Sequence, residues 1–214
     1  MCKDAISDQV SIPSKYICYK CFINLELAPT YQHLLNEIIV FVGKEQVFID
    51  KAFALYSKNN HYNLFDAIYS LKYYGKRGIG NELGILLWKK IRMESDMQYD
   101  YLLPVPIHSA RKRERGYNQS EHICKGLSRA SGIPYQFSIL KRIKYTKSQT
   151  RLHLEERKTN VENIFKALDK GSVLGKNILV VDDVLTTGST LNSIAKLLKS
   201  TGANTVDVAT LIKA

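Results

Sequence analysis

Apolar positions along this chain follow two rhythms. Short apolar runs over 51–57, 101–105, 178–181 and 205–212 predict strands, and Ile178–Val181, lacking any polar alternation, predicts one covered on both faces. Between them lie stripes at helical spacing: Leu64, Ile68 and Leu71 over 62–73, then Leu83, Leu86, Leu87 and Ile91 over 79–93, with Trp88 read as packing. A helix over 118–131 is expected to end at Gly132, and another carries Leu191, Ile194, Leu197 and Leu198. Shorter strands are expected at 135–140 and from Ile164, separated by a long charged segment over 141–160. Strands alternating with helices predict an α/β fold whose sheet is parallel or mostly parallel. Residues 1–44 show no sustained periodicity, which places a boundary near Gly43 between an N-terminal segment, 1–44, and a main domain, 45–214.

Length and composition narrow this picture. A chain of 214 residues buries roughly 70% of its unfolded surface, enough for one α/β domain and a small appendage. The longest N-terminal apolar run, Ile38–Val42, is far short of the roughly 20 residues a membrane span needs. Met1-Cys2-Lys3-Asp4 does not open a signal peptide, so no membrane insertion and a cytoplasmic location are expected. In that setting four cysteines, with Cys18 and Cys21 in a Cys-x-x-Cys pair, read as metal ligands or free thiols before disulfides, and Cys124 reads as a small buried hydrophobe in a helix. A formal charge of +11 favours polyanionic partners, a diphosphate or a nucleic acid, without choosing between them.

The chemistry concentrates where the run Ile178–Val181 gives way to Asp182-Asp183-Val184-Leu185-Thr186-Thr187-Gly188-Ser189-Thr190. Two carboxylates at the carboxyl end of a buried strand stand where open α/β sheets bind ligands. The following hydroxyls, the glycine and the unpaired N–H groups of the next helix suit a phosphate dianion. Carboxylates do not hold phosphate themselves; Asp182 and Asp183 suit ribose hydroxyls, held directly or through Mg2+, which prefers hard oxygen donors. A second stretch, Leu103 to Gln119, sets Arg111-Lys112-Arg113-Glu114-Arg115-Gly116-Tyr117-Asn118-Gln119 after a proline-bounded strand end. The guanidinium forks of Arg111 and Arg115 match phosphate oxygens in pairs. Tyr117 reads equally as a base-stacking ring or as packing.

The Asp-Asp-Val-Leu-Thr-Thr-Gly-Ser-Thr stretch resembles the phosphoribosyl-diphosphate motif of type I phosphoribosyltransferases. Together with Arg-x-x-x-Arg-Gly-Tyr-Asn-Gln and the later Gln149-Thr150-Arg151-Leu152 to Phe165 stretch, it resembles the ComF family, named for a role in DNA uptake during competence. The resemblance implies a type I phosphoribosyltransferase core with a parallel sheet flanked by helices, preceded by a small zinc-knuckle-like segment. It implies phosphoribosyl diphosphate with Mg2+ as ligand, Asp182 and Asp183 on ribose hydroxyls or metal, and Arg115 with Arg111 on the leaving diphosphate. Thr186, Thr187, Gly188, Ser189 and Thr190 would hold the 5'-phosphate. Gly116, Tyr117, Asn118 and Gln119 would line the substrate site, and Gln149 and Arg157 would belong to a loop that closes over it.

The family's knuckle uses four cysteines, whereas Cys2, Cys18 and Cys21 here leave a Zn2+ one ligand short, with Asp4 or His33 as replacements. The acceptor, a nitrogenous base in such enzymes, is not legible. Three readings stay open: a transferase, a non-catalytic phosphoribosyl-diphosphate-binding protein serving DNA uptake, and a basic module binding single-stranded DNA or DNA-uptake proteins.

Overall fold

The computed structural model describes residues 15–17, 22, 25–58, 63–144 and 164–214. In chain order the first half holds α1 (Tyr31–Val42), a 3-10 turn (Lys44–Gln46), β1 (Ala52–Ser57), α2 (Asn63–Tyr73), α3 (Arg77–Glu94) and β2 (Tyr101–Pro104). It continues through α4 (Ser109–Arg115), α5 (Gln119–Ser131), β3 (Leu140–Arg142), β4 (Phe165–Ala167), β5 (Asn177–Leu185), α6 (Ser189–Ser200) and β6 (Thr205–Lys213). Four strands form the central sheet in the order β1-β6-β5-β2, parallel throughout, so the last strand described lies inside the sheet.

Alternate side chains of these strands feed two cores, as the strand period of two requires. Leu102, Leu179, Val181 and Leu211 pack on one face beneath Ile68 and Leu71 of α2, Leu83 and Leu87 of α3, and Ile123 and Leu127 of α5. Leu103, Ile178, Val180 and Val208 pack on the other against Leu34 and Ile38 of α1 and Leu191, Ile194 and Leu198 of α6. Two glycines permit the closest helix contact. A Cβ at Gly84 of α3 would strike the Ile123 carbonyl, and one at Gly126 of α5 the Asn81 carbonyl. Cys124 is fully buried within α5 as a free thiol. Trp88 is half-buried against the core with Arg92 over its ring, consistent with packing.

Several elements depart from the pattern read in the sequence. The expected strand at 135–140 is a single parallel bridge between Tyr135 and Leu102, after which the chain bends and β3 pairs antiparallel with β4 in a separate ribbon. The reason is visible at Phe137, 66% exposed: an outward-facing aromatic breaks the run before Ile139 and Leu140 turn into the core. The basic stretch after β2 is not all loop, since Ser109–Arg115 forms a short helix. His108 Nδ1 accepts from Ala110 N at 3.2 Å, and Gly116 in the left-handed region, φ 77°, closes the helix. Within the segment thought aperiodic, Tyr31–Val42 is helical and packs on the sheet. Among the described residues no helix is long and apolar enough to cross a membrane. Cys2, Cys18, Cys21 and Asp4 lie outside the described residues; His33 is exposed, its Nε2 3.3 Å from Glu37.

Candidate functional site

The connections leaving β2 and β5 diverge: α5 covers one face of the sheet and α6 the other. A crevice at the carboxyl ends of these two strands follows, the usual place for a ligand in an open α/β sheet. Asp182 and Asp183 lie there, within the strand rather than after it, because β5 keeps pairing with β6 through Leu185 while β2 ends its ladder at Pro104 opposite Val181. The acids therefore have a bonded neighbour on one side and the crevice on the other.

Their polar surroundings come from three elements distant in sequence. The first turn of α5 supplies Ser120, whose hydroxyl donates to Asp182 Oδ1 at 2.9 Å, and Gln119, whose Nε2 reaches Asp183 Oδ2 at 3.3 Å. Asn118 caps that helix, its Oδ1 accepting from Ser120 N at 3.2 Å while its Nδ2 donates to the Val105 carbonyl at 2.9 Å, which fixes the turn against the end of β2. The end of α2 supplies Lys72, whose ammonium stands 2.8 Å from Asp183 Oδ2. Asp183 is itself buried, and Asp182 half-buried. Loss of water raises the Asp182 pKa, and the adjacent Asp183 charge raises it further against the opposing pull of the Asp183 N–H, Ser120 and Lys72. Gln119 Oε1, buried beside the acids, accepts no hydrogen bond among the described residues.

Downstream, Gly188 takes a left-handed conformation, φ 77°, and starts α6. A side chain there would be strained by that φ, and its Cβ would meet Ile38 of α1 at 2.9 Å. Thr187 and Ser189 share a hydroxyl hydrogen bond of 3.0 Å across the glycine, and Thr186 and Thr190 are exposed. Asn192, one turn into α6, bonds Phe48 N at 2.8 Å and the Gln46 carbonyl at 2.7 Å, so the N-terminal portion braces the loop.

The remaining expected residues divide. Tyr117 is packing: it is 6% exposed, its hydroxyl donates to the Leu71 carbonyl, and the Arg77 guanidinium covers its ring at 4.8 Å. Arg115 is half-buried on Tyr73, 5.0 Å from the ring centre and 3.2 Å from its hydroxyl. Gly116 is exposed at the end of α4. Arg111 stands near Arg142 of β3: burial, then the Arg111 charge, lowers the Arg142 pKa against an opposing pull from Asp182. Gln149 and Arg157 lie outside the described residues. On the far side of the first turn of α5, Asn118 and Glu121 line a cavity of about 190 Å³ with Pro104, Pro106 and Phe137.

Lys72, Ser120 and Arg142 were not singled out from the sequence. Lys72 left one faint signal, a cation one turn after Ile68 at the margin of the apolar stripe of α2.

A family model described as a phosphoribosyl transferase domain matches residues 118–214, from the cap of α5 through the acids and the glycine loop to β6. The chain is 40% identical over 114 residues to competence protein F of Haemophilus influenzae, covering 53% of this chain and 50% of that one. It is 34% identical over 145 residues to the DNA utilization protein YhgH of Salmonella typhimurium, covering 66% and 63%. The chain is similar to ComF-family, phosphoribosyltransferase-like proteins. Competence protein ComFC of Streptococcus pneumoniae is also similar, 31% identical over 116 residues, covering 54% and 49%. The chain spans from about half to just under two thirds of the length of these curated relatives. Its parallel strands flanked by helices agree with the phosphoribosyl transferase domain matched over residues 118–214.

Proposed function

We propose that this protein binds phosphoribosyl diphosphate with Mg2+ at the crevice between β2 and β5 and uses it in a phosphoribosyl transfer linked to the handling of incoming DNA. The observation that carries this reading is the arrangement around Asp182 and Asp183: one half-buried and one buried acid in the second half of β5, already facing a cation, with the unpartnered Gln119 Oε1 beside them. A ribose offers hydroxyl donors to that acceptor and to the carboxylates. The residues fit Mg2+, because the acids are hard oxygen donors and the Lys72 ammonium already occupies a cation's place 2.8 Å from Asp183. When bound, Mg2+ would neutralise diphosphate charge, with Asp182 and Asp183 holding it directly or through water. The 5'-phosphate fits the hydroxyls and N–H groups from Thr186 to Thr190 at the start of α6, and Arg111 and Arg115 are the cations assigned to the diphosphate.

This protein's own contribution is then placement and charge stabilisation, which suffice where little covalent chemistry is required. The acceptor is taken to be a nitrogenous base. A cytoplasmic role beside single-stranded DNA or DNA-uptake proteins agrees with the names of the relatives and the net charge of +11. At a hundredfold excess over its dissociation constant, the ligand should add about 2.7 kcal/mol, a melting rise of roughly 5 to 11 °C. Thermal melting with Mg2+ and phosphoribosyl diphosphate tests this. The rise should vanish in Asp182→Asn/Asp183→Asn, and its absence from the unaltered, folded protein would overturn the proposal.

A further inference from the structure

The ion pair between Lys72 and Asp183 raises a question of occupancy. Asp183 has 9% of its side chain exposed and Lys72 24%, so the pair is drier than an ordinary surface salt bridge. Lys72 approaches the same oxygen, Oδ2, that Gln119 Nε2 reaches at 3.3 Å, while Oδ1 of Asp182 is taken by Ser120 and by the Asp183 N–H at 2.9 Å. The ligand-free acids thus already have a cation and three hydrogen-bond donors. A divalent ion entering alone would lie within a few ångströms of the Lys72 ammonium, which bonds Asp183 and also acts on Asp182. An incoming diphosphate changes this balance, because its negative charge accommodates both cations at once.

We propose that Lys72 is a built-in counter-ion of the acid pair, making entry of the divalent cation conditional on arrival of the anionic ligand. The inference rests on the proposed ligand site and adds an order to its filling. Lys72 gives up Asp183 when the metal and anion come together, and metal alone is refused. The position of Lys72 supports the exchange, for it is held by α2, whose last turn also meets the proposed diphosphate side of the crevice. Tyr73, the next residue, receives the Arg115 guanidinium, and the Leu71 carbonyl accepts from Tyr117. Movement of Lys72 toward an anion is therefore a side-chain change, with no helix needing to shift.

Calorimetric titration of MgCl2 into ligand-free protein tests the idea. Lys72→Met, which keeps the stem and removes the charge, should bind Mg2+ about tenfold more tightly than the unaltered protein, as expected for removing one positive charge a few ångströms from a divalent ion. Lys72→Arg should stay close to the unaltered protein. With inorganic diphosphate present, the difference between Lys72→Met and the unaltered protein should shrink to threefold or less, on the order expected once the anion supplies the missing charge. Equal Mg2+ affinities without diphosphate, in variants whose melting shows them folded, would overturn the inference.

The unaltered protein supplies a second check: millimolar MgCl2 alone should leave its melting curve in place, and a rise of several degrees overturns the inference without any variant. Failure of the ligand site looks different. In that case phosphoribosyl diphosphate with Mg2+ would not shift the melting of the unaltered protein, whatever Lys72→Met does to Mg2+.

Discussion

At the carboxyl ends of its strands the sheet carries Asp182 and Asp183 beside a lysine, a glutamine and a serine; toward the amino end of β6 it carries Asp207, 0% exposed, bonded by the Tyr99 hydroxyl at 2.6 Å. Both places bury carboxyl groups, and in both burial raises a pKa: that of Asp182, and that of Asp207 to about 6. They differ in their partners. Tyr99 is a neutral donor whose own ionisation is pushed far up, first by burial and then by the Asp207 charge; among the described residues no cation bonds this pair, although Lys51 pulls the Asp207 pKa down. Asp183 has an ammonium, a neighbour that itself carries charge, and an open crevice. A buried acid with a neutral partner belongs to the packing of the fold, whereas the acid pair facing Lys72 is the place proposed above for a ligand.

The largest test of this contrast is the pH dependence of stability. A folded-state pKa of about 6 against an ordinary 3.8 means that the fold favours protonated Asp207. Its contribution is most favourable below about pH 4 and is lost as pH rises through about 6, a change of at most about 3 kcal/mol. Asp207→Asn, which stays neutral, should flatten that part of the profile measured by denaturant unfolding between pH 4 and 7; an unchanged slope would mean that Asp207 is not buried as described.

Next in size is Tyr99→Phe, which removes the tyrosine donor from Asp207 Oδ2 and should cost about 1–3 kcal/mol, read as a lower denaturation midpoint at constant slope. If Tyr99→Phe is neutral, the two acid sites are less alike in dryness than their exposures imply. Smaller again is Asp182→Asn in the ligand-free protein. Relieving like-charge crowding beside Asp183 should leave stability unchanged or raise it by up to about 1 kcal/mol, a sign opposite to Tyr99→Phe. A loss of several kcal/mol would make Asp182 structural. The smallest effect is expected for Lys112→Ala, which removes an exposed 3.1 Å pair with Glu121 near the site and should change melting by less than about 1 kcal/mol.

The sequence made one of these regions far more legible than the other. Asp182 to Thr190 could be read because strand, acids, glycine and helix start follow one another in the chain, and the cap and first turn of α5 were legible from Asn118 and Gln119 for the same reason. Lys72, Tyr99 and Asp207 were not, because each acquires its meaning from a partner brought near only by the fold; Tyr99 and Asp207 are 108 positions apart. α1 escaped for a different reason. Ile38–Val42 is apolar all round, so it shows no stripe, and the structure buries Ile38 while leaving Val40 86% exposed. Tyr117 shows the limit at single residues: the sequence leaves stacking and packing equally open, and the structure buries the ring under Arg77.

The order β1-β6-β5-β2 has a consequence for how the molecule comes into being. During synthesis β1 emerges early and must wait for β6, from which about 150 residues separate it, before either of its edges finds a partner in the sheet. Until then β1 has only the short bridge from Leu27 to Tyr56 as a partner, and neither half of the sheet can close without the other. The ribosome therefore delivers Asp182–Thr190 before β6, the strand that pairs with β5, so the surroundings of the two acids take shape only after β6 has emerged.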